Sequence, residues 1–258
     1  MTYYVVDAFT DKIFSGNPAG VCILDAELDE NLMQNIAAEN NLSETAFTVK
    51  TDEGYNLRWF TPECEIDLCG HATLATAFIL MNYVDNSLSE ISFSTKSGML
   101  GVKKKDEFFT MNFPSRMPVE CDIPFGLEKA LGAKIINAYR SRDLLVTLND
   151  EKTVKQLAPD FNALAQYKDY FGIAVTAKGD SCDFVSRYFA PASGIPEDPV
   201  TGSSHSSLIP LWSKYLNKND MIARQLSKRG GHLLCKNLGD RVEIGGKAVL
   251  YSKGEILL

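Results

Sequence analysis

The sequence predicts an α+β protein built from two similar halves, and three observations predict it. A hairpin ending in Arg, an aromatic residue, Phe, a small residue and Pro occurs twice, at Leu57-Arg58-Trp59-Phe60-Thr61-Pro62 and at Ser186-Arg187-Tyr188-Phe189-Ala190-Pro191. Each copy leads to a glycine that opens a run of small residues and then an apolar helix, at Gly70-His71-Ala72-Thr73-Leu74-Ala75 and at Gly202-Ser203-Ser204-His205. Gly70 follows Arg58 by twelve residues and Gly202 follows Arg187 by fifteen, as expected for a duplication with a short insertion in the second copy. Two copies are too few for a solenoid. They predict an N-terminal half, 1–118, and a C-terminal half, 119–258, with a C-terminal segment able to return to the first, and an active-site cleft between them.

The elements follow in order. Tyr3–Phe9 is β-branched and aromatic and reads as a strand, and Val21–Leu24 resumes the apolar run. Gly16-Asn17-Pro18-Ala19-Gly20 between them is a cluster of turn formers. Leu32, Met33, Ile36 and Ala37 recur at helical spacing within Leu28–Asn41, with Asp29 and Glu30 near the start. Ser43–Lys50 is extended, Thr51-Asp52-Glu53-Gly54 turns, and Tyr55–Phe60 closes a hairpin that Pro62 ends. Glu63–Leu68 is an acidic loop before the first glycine-opened helix. Strands fill Ile91–Phe113, Leu127–Leu131 is a short helix and Lys155–Leu164 a weaker one. Gly172–Ala177 and Cys182–Phe189 form the second hairpin, and Ala190–Thr201 is a loop. Pro210 is expected to kink or break the helix that begins at Gly202. The tail from His232 alternates strands and turns.

Composition excludes several classes. Hydrophobic residues make up 45% of the 258, enough for a core. Lys and Arg number 26 against 33 Asp and Glu, a net charge of −7 without a basic block, so nucleic acid is not the expected partner. Ala72–Met81, the most apolar helical stretch, is too short to span a bilayer. The opening Met-Thr-Tyr-Tyr-Val-Val-Asp has no basic region and is not expected to be a secretory signal. Six cysteines without CxxC spacing imply reduced, cytoplasmic thiols, and three histidines without ligand spacing imply no structural metal.

The repeated glycine-opened helices are where chemistry is expected. A helix start presents unpaired N–H groups and the positive end of the dipole, which suits a carboxylate or a developing enolate. Glu44, in Leu42-Ser43-Glu44-Thr45-Ala46-Phe47, lies among apolar neighbours that suit proton shuttling, although it could equally be a rim glutamate facing water. His71 sits at a helix start, where the dipole disfavours its charge, and is either a substrate contact or a capping residue. Asp198, in Pro196-Glu197-Asp198-Pro199, is either a site carboxylate or an ordinary turn residue, and Ser203 is a natural cap.

Taken together, the motifs resemble the phenazine biosynthesis PhzF-like family. They are Val6-Asp7-Ala8-Phe9 with Gly16-Asn17-Pro18-Ala19-Gly20, Asn41-Leu42-Ser43-Glu44-Thr45-Ala46-Phe47, Arg58-Trp59-Phe60-Thr61-Pro62, Asp67-Leu68-Cys69-Gly70-His71-Ala72, and Ile195-Pro196-Glu197-Asp198-Pro199-Val200-Thr201-Gly202-Ser203. The resemblance implies the diaminopimelate epimerase-like fold, with two pseudo-symmetric halves that each wrap a mixed sheet around a central helix. It implies a cofactor-independent isomerase acting on a small carboxylate-bearing metabolite, usually as a homodimer. Carried over, Glu44, His71 and Asp198 are catalytic, and Asn17, Ser43, Gly70, Gly202 and Ser203 bind substrate. Two rivals remain. An amino-acid epimerase with two thiols would find Cys69 in the first half but no cysteine beside Gly202. A non-catalytic ligand- or protein-binding member would keep the fold alone.

Overall fold

The structure is a computed structural model that describes residues 1–258. It contains two compact units, Met1–Asn112 with Gly245–Leu258, and Phe113–Ile244.

In the first unit, β1 (Thr2–Ala8) pairs antiparallel with β2 (Asn17–Leu24). The cluster read as a turn is therefore largely strand. Of that cluster only Gly16 lies outside the strand, at the end of the 9–16 connection and at φ +65, where a Cβ would lie 2.2 Å from the Ala8 carbonyl oxygen. Helix α1 (Glu30–Asn40) carries the crossover to β3 (Glu44–Thr51), which runs parallel to β2. The Asp29 carboxylate caps it by accepting from the amides of Asn31 and Leu32, and left-handed Asn41 ends it. Its buried face, Met33, Ile36 and Ala37, packs with Cys22, Phe47 and Phe60. Next come β4 (Gly54–Phe60), antiparallel to β3, and β5 (Glu65–Ile66), two residues of strand within the expected acidic loop. Helix α2 (Gly70–Ile79) is buried at every position and continues into a π turn, Leu80–Val84. It is the central helix of this unit and packs on β1, β2 and β3. Then β6 (Glu90–Thr95) runs parallel to β4, β7 (Gly98–Lys105) pairs with β6, and β8 (Phe108–Pro114) pairs with β7.

The second unit opens with β9 (Val119–Cys121) and the short helix α3 (Leu127–Leu131). Strand β10 (Asn137–Arg140) pairs antiparallel with β9 and with β11 (Leu144–Thr147). The expected helix over Lys155–Leu164 is two, α4 (Glu151–Gln156) and α5 (Phe161–Leu164). Asp150 and Asp160 cap them separately, and Pro159 denies the chain a continuous ladder between them. Strand β12 (Ile173–Lys178) is parallel to β11 and antiparallel to β13 (Phe184–Ala190). The segment read as a loop holds a 3-10 turn, Pro191–Ser193, and β14 (Ile195–Asp198). Helix α6 (Gly202–Leu216) precedes β15 (Asp220–Gln225), β16 (Gly231–Asn237) and β17 (Arg241–Gly246). Finally, β18 (Ala248–Glu255) pairs antiparallel with β1, in the first unit.

Helix α6 runs unbroken through Pro210, so of the two expected outcomes, a kink or a break, there is no break. Proline removes the N–H that would reach the Ser206 carbonyl, and the Arg116 amide donates to that oxygen instead, at 2.9 Å. His205 takes its place in the same helix with Nδ1 2.8 Å from the Thr201 carbonyl oxygen and its ring beside Phe184.

The duplication is visible in the pairing registers. Phe60 and Phe189 are equivalent in the repeated motif, and they pair with Thr45 and Ile173. The Arg58 guanidinium contacts the Glu65 carboxylate through two nitrogens, at 2.7 and 2.6 Å, and Arg187 contacts Glu197 likewise, at 2.7 and 2.9 Å. Each guanidinium also lies over the ring two residues on, Phe60 at 5.2 Å and Phe189 at 5.1 Å. From Glu65 and Glu197 onward the copies run without a gap into Gly70 and Gly202, so the insertion lies in the Pro191–Ser193 turn region.

Candidate active site

In the first unit, four polar side chains far apart in sequence meet at the start of α2. Glu44 is the first residue of β3, and Asn17 the first of β2. Cys69 is the N-cap of α2, Gly70 its first residue and His71 its second. All four side-chain-bearing groups are buried, Glu44 at 8% exposure and His71 at 5%. Imidazole Nε2 lies 3.0 Å from Glu44 Oε2. The pair is close but not aligned, since neither atom has a hydrogen-bond partner. On the other side of the ring, Nδ1 lies 3.3 Å from Asn17 Nδ2 and 3.5 Å from Cys69 Sγ. Ser43, the residue before Glu44, is half-buried.

These neighbours reverse one expectation. Burial opposes a charge on His71, but Cys69 and the Glu44 carboxylate outweigh it and hold the imidazole well above its usual pKa. A ring protonated on both nitrogens requires an acceptor at Nδ1, which a half-turn of the Asn17 amide supplies. Burial, reinforced by Glu44, pushes the Cys69 thiol up.

Trp59 and Tyr188 are equivalent in the two hairpins, and the shared register makes Gly172 the counterpart of Glu44. A Cβ on Gly172 would lie 2.3 Å from the Tyr188 hydroxyl oxygen, which donates to Asp143 Oδ1 at 2.9 Å. The second unit thus places a phenol where the first places a carboxyl. Burial and the Asp143 carboxylate push that phenol well above its usual pKa.

At the start of α6 the N-cap is Thr201, not Ser203. Ser203 lies inside the helix, and its hydroxyl accepts from Arg142 Nη2 at 2.9 Å. The Arg142 guanidinium also stacks 4.5 Å over the Phe171 ring. Asp198, at the end of β14, accepts from the Thr201 hydroxyl through its carboxylate. Its carbonyl accepts from Gln225 Nε2 at 2.7 Å, and Gln225 Oε1 accepts from the Thr201 amide at 2.9 Å. Neither N-cap, Cys69 or Thr201, bonds the first turn of its helix with its side chain. Arg142, Asp143 and Gln225 carried no motif that single-sequence reading could catch, and Tyr188 was legible only as the aromatic of the repeated hairpin.

The PhzC-PhzF profile, described as phenazine biosynthesis-like protein, matches residues 6–254. The chain belongs to the PhzC-PhzF family. It is 49% identical over 258 residues to an uncharacterized isomerase of Pseudomonas aeruginosa, covering 100% of this chain and 99% of that one. A crystal structure of a PhzF family protein from Enterococcus faecalis superposes with a TM-score of 0.98 at 54% identity, over 100% of this chain and 99% of that one. A hydroxyproline epimerase from Agrobacterium vitis shares the fold alone, with a TM-score of 0.64 at 8% identity over 98% of this chain and 91% of that one. The family member described here is an isomerase with the α+β, diaminopimelate epimerase-like fold. No helix in it is long and apolar enough to cross a membrane.

Proposed function

We propose that this chain relocates a proton on a small carboxylate-bearing metabolite, with Glu44 as the acid–base group and no cofactor. The observation that carries the reading is the buried Glu44 carboxyl 3.0 Å from His71, at the open first turn of α2, in one unit only. Glu44 takes the proton from a carbon next to a π-system or carboxylate. The electron pair left on that carbon spreads into the conjugated system as an enolate. The α2 amides at Gly70 and His71 stabilise that charge, and His71 orients Glu44 and offers a hydrogen to the substrate. Glu44 then returns the proton at a second carbon, so the sum is an isomer with no atom gained or lost. Asp198, Gly202 and Ser203 are assigned to binding the substrate's polar groups, together with Asn17 and Ser43.

The two-thiol epimerase reading is disfavoured because Thr201 stands at the position equivalent to Cys69. The proposal places the protein in the cytoplasm as a homodimer, which sedimentation of the purified chain tests. The catalytic test follows deuterium from solvent into candidate unsaturated carboxylates. Glu44→Gln is expected to slow incorporation by a hundredfold or more, on the order of the loss of one general acid–base group. Unchanged incorporation in a folded Glu44→Gln protein removes Glu44 from the role.

A further inference from the structure

We propose that Glu44, Cys69 and His71 form a binding site for one thiophilic divalent cation of the Zn2+ type, whose occupancy silences the isomerase. The three residues each offer one ligand atom, all lie within 4.8 Å of one another, and all three are buried. Two of the donor atoms, Glu44 Oε2 and His71 Nε2, are buried without a hydrogen-bond partner, an arrangement that a cation would complete. The donor set is one carboxylate, one imidazole and one thiol, the ligand types that tetrahedral zinc takes.

The distances are close to those a bound ion needs. Zinc bonds of the usual lengths place tetrahedral ligand atoms about 3.3–3.6 Å apart. Here Glu44 Oε2 is 3.0 Å from Nε2, within reach of that spacing, whereas Cys69 Sγ is 3.5 Å from the opposite ring nitrogen, Nδ1, and the three ligand atoms lie within 4.8 Å of one another. Glu44 and Cys69 flank opposite nitrogens of the ring, so the proposed site requires a side chain to turn before all three donors meet one ion. Binding displaces the thiol hydrogen and the proton held on the ligating imidazole nitrogen and releases both to solvent, with no change of oxidation state. The carboxylate and thiolate together balance the two positive charges, which favours a buried ion. A water or other small ligand fills the fourth position.

A cation held there occupies the Glu44 lone pair that proton transfer uses. This inhibitory consequence rests on the isomerase reading, whereas the binding itself does not. The exposed thiol Cys64 is the competing ligand and is removed first. The Cys64→Ala protein is titrated with Cd2+ and the ultraviolet thiolate-to-metal charge-transfer band is followed. One equivalent is expected to saturate the band. Cys69→Ser in that background is expected to abolish it, and Glu44→Gln, which keeps the thiol, to weaken affinity at least tenfold against a competing chelator. Thermal melts establish that each variant is folded. Absence of the band in the Cys64→Ala protein, or its persistence unchanged in folded Cys69→Ser and Glu44→Gln, overturns the site. Deuterium incorporation that continues with one equivalent of Cd2+ bound overturns the inhibitory role while leaving the site standing.

Discussion

Gly172 stands in the second unit where Glu44 stands in the first, and the Tyr188 hydroxyl fills the space its side chain would need. The duplicated scaffold has therefore kept one carboxyl and closed the equivalent position. Gly172→Ala places a methyl group 2.3 Å from that hydroxyl and within 2.8 Å of the ring. The expected cost is about 1–3 kcal/mol, as for overpacking a filled core. Urea denaturation measures it, and a midpoint equal to the wild type would mean that Tyr188 moves aside freely.

The two equivalent arginines are expected to differ in weight. Arg187 has 10% side-chain exposure, and besides Glu197 its Nη1 donates to the Val154 and Leu157 carbonyls at the end of α4. Arg187→Ala strands a half-buried carboxylate and the Leu157 carbonyl, at a cost of about 3–5 kcal/mol. Arg58 has 29% exposure, and its partner Glu65 keeps Lys96 when the arginine is gone. Arg58→Ala is expected to cost about 1 kcal/mol. Equal losses in chemical denaturation would refute the ranking.

His205 ties stability to pH. Burial pushes its imidazole down to about 4 from the usual 6.5, the contact with the Thr201 carbonyl only partly opposing it. Between those values the unfolded chain binds a proton that the folded chain refuses, so stability falls as pH falls through that window. At about 1.36 kcal/mol per pKa unit the loss reaches about 3 kcal/mol by pH 4. Unfolding midpoints measured from pH 7 to 4 test this, and His205→Asn is expected to flatten that part of the profile.

Pro210 offers a different measurement. Replacing an interior helical proline by alanine ordinarily returns about 3 kcal/mol. Here the carbonyl that proline leaves unpaired already accepts from Arg116. Pro210→Ala is expected to gain less than about 1 kcal/mol, because the new amide competes for a satisfied oxygen. A full 3 kcal/mol gain in thermal unfolding would show that the Arg116 contact contributes little.

Legibility followed range. Helix α1 was readable because its spacing, its Asp29 cap and its apolar face all lie within a dozen residues. The glycine-opened helices and the paired Arg-aromatic-Phe hairpins were readable because repetition made a weak local signal into a pattern. Strand β5 was not, since two residues are too few to show an alternating pattern and become strand only by pairing with Trp59 and Phe60. That the helix would continue through Pro210 was not legible, because the group that takes up the freed Ser206 carbonyl, the Arg116 amide, is remote in sequence. At the site, sequence could nominate Glu44, Asn17 and His71 singly. It could not bring Cys69 Sγ and Asn17 to one face of the imidazole and Glu44 to the other. Nor could it find Arg142 on Ser203, a contact spanning 61 residues.

The pairing of β18 with β1 has a consequence for biosynthesis. On a ribosome, β1 emerges well before β18, so one of its two neighbours is made only after residue 247. Until then the first unit carries an open sheet edge, the kind of surface that recruits other chains. Newly made copies depend on the synthesis of β18 to close the unit that holds Glu44, and a message truncated before β18 would yield a chain with that edge unsealed.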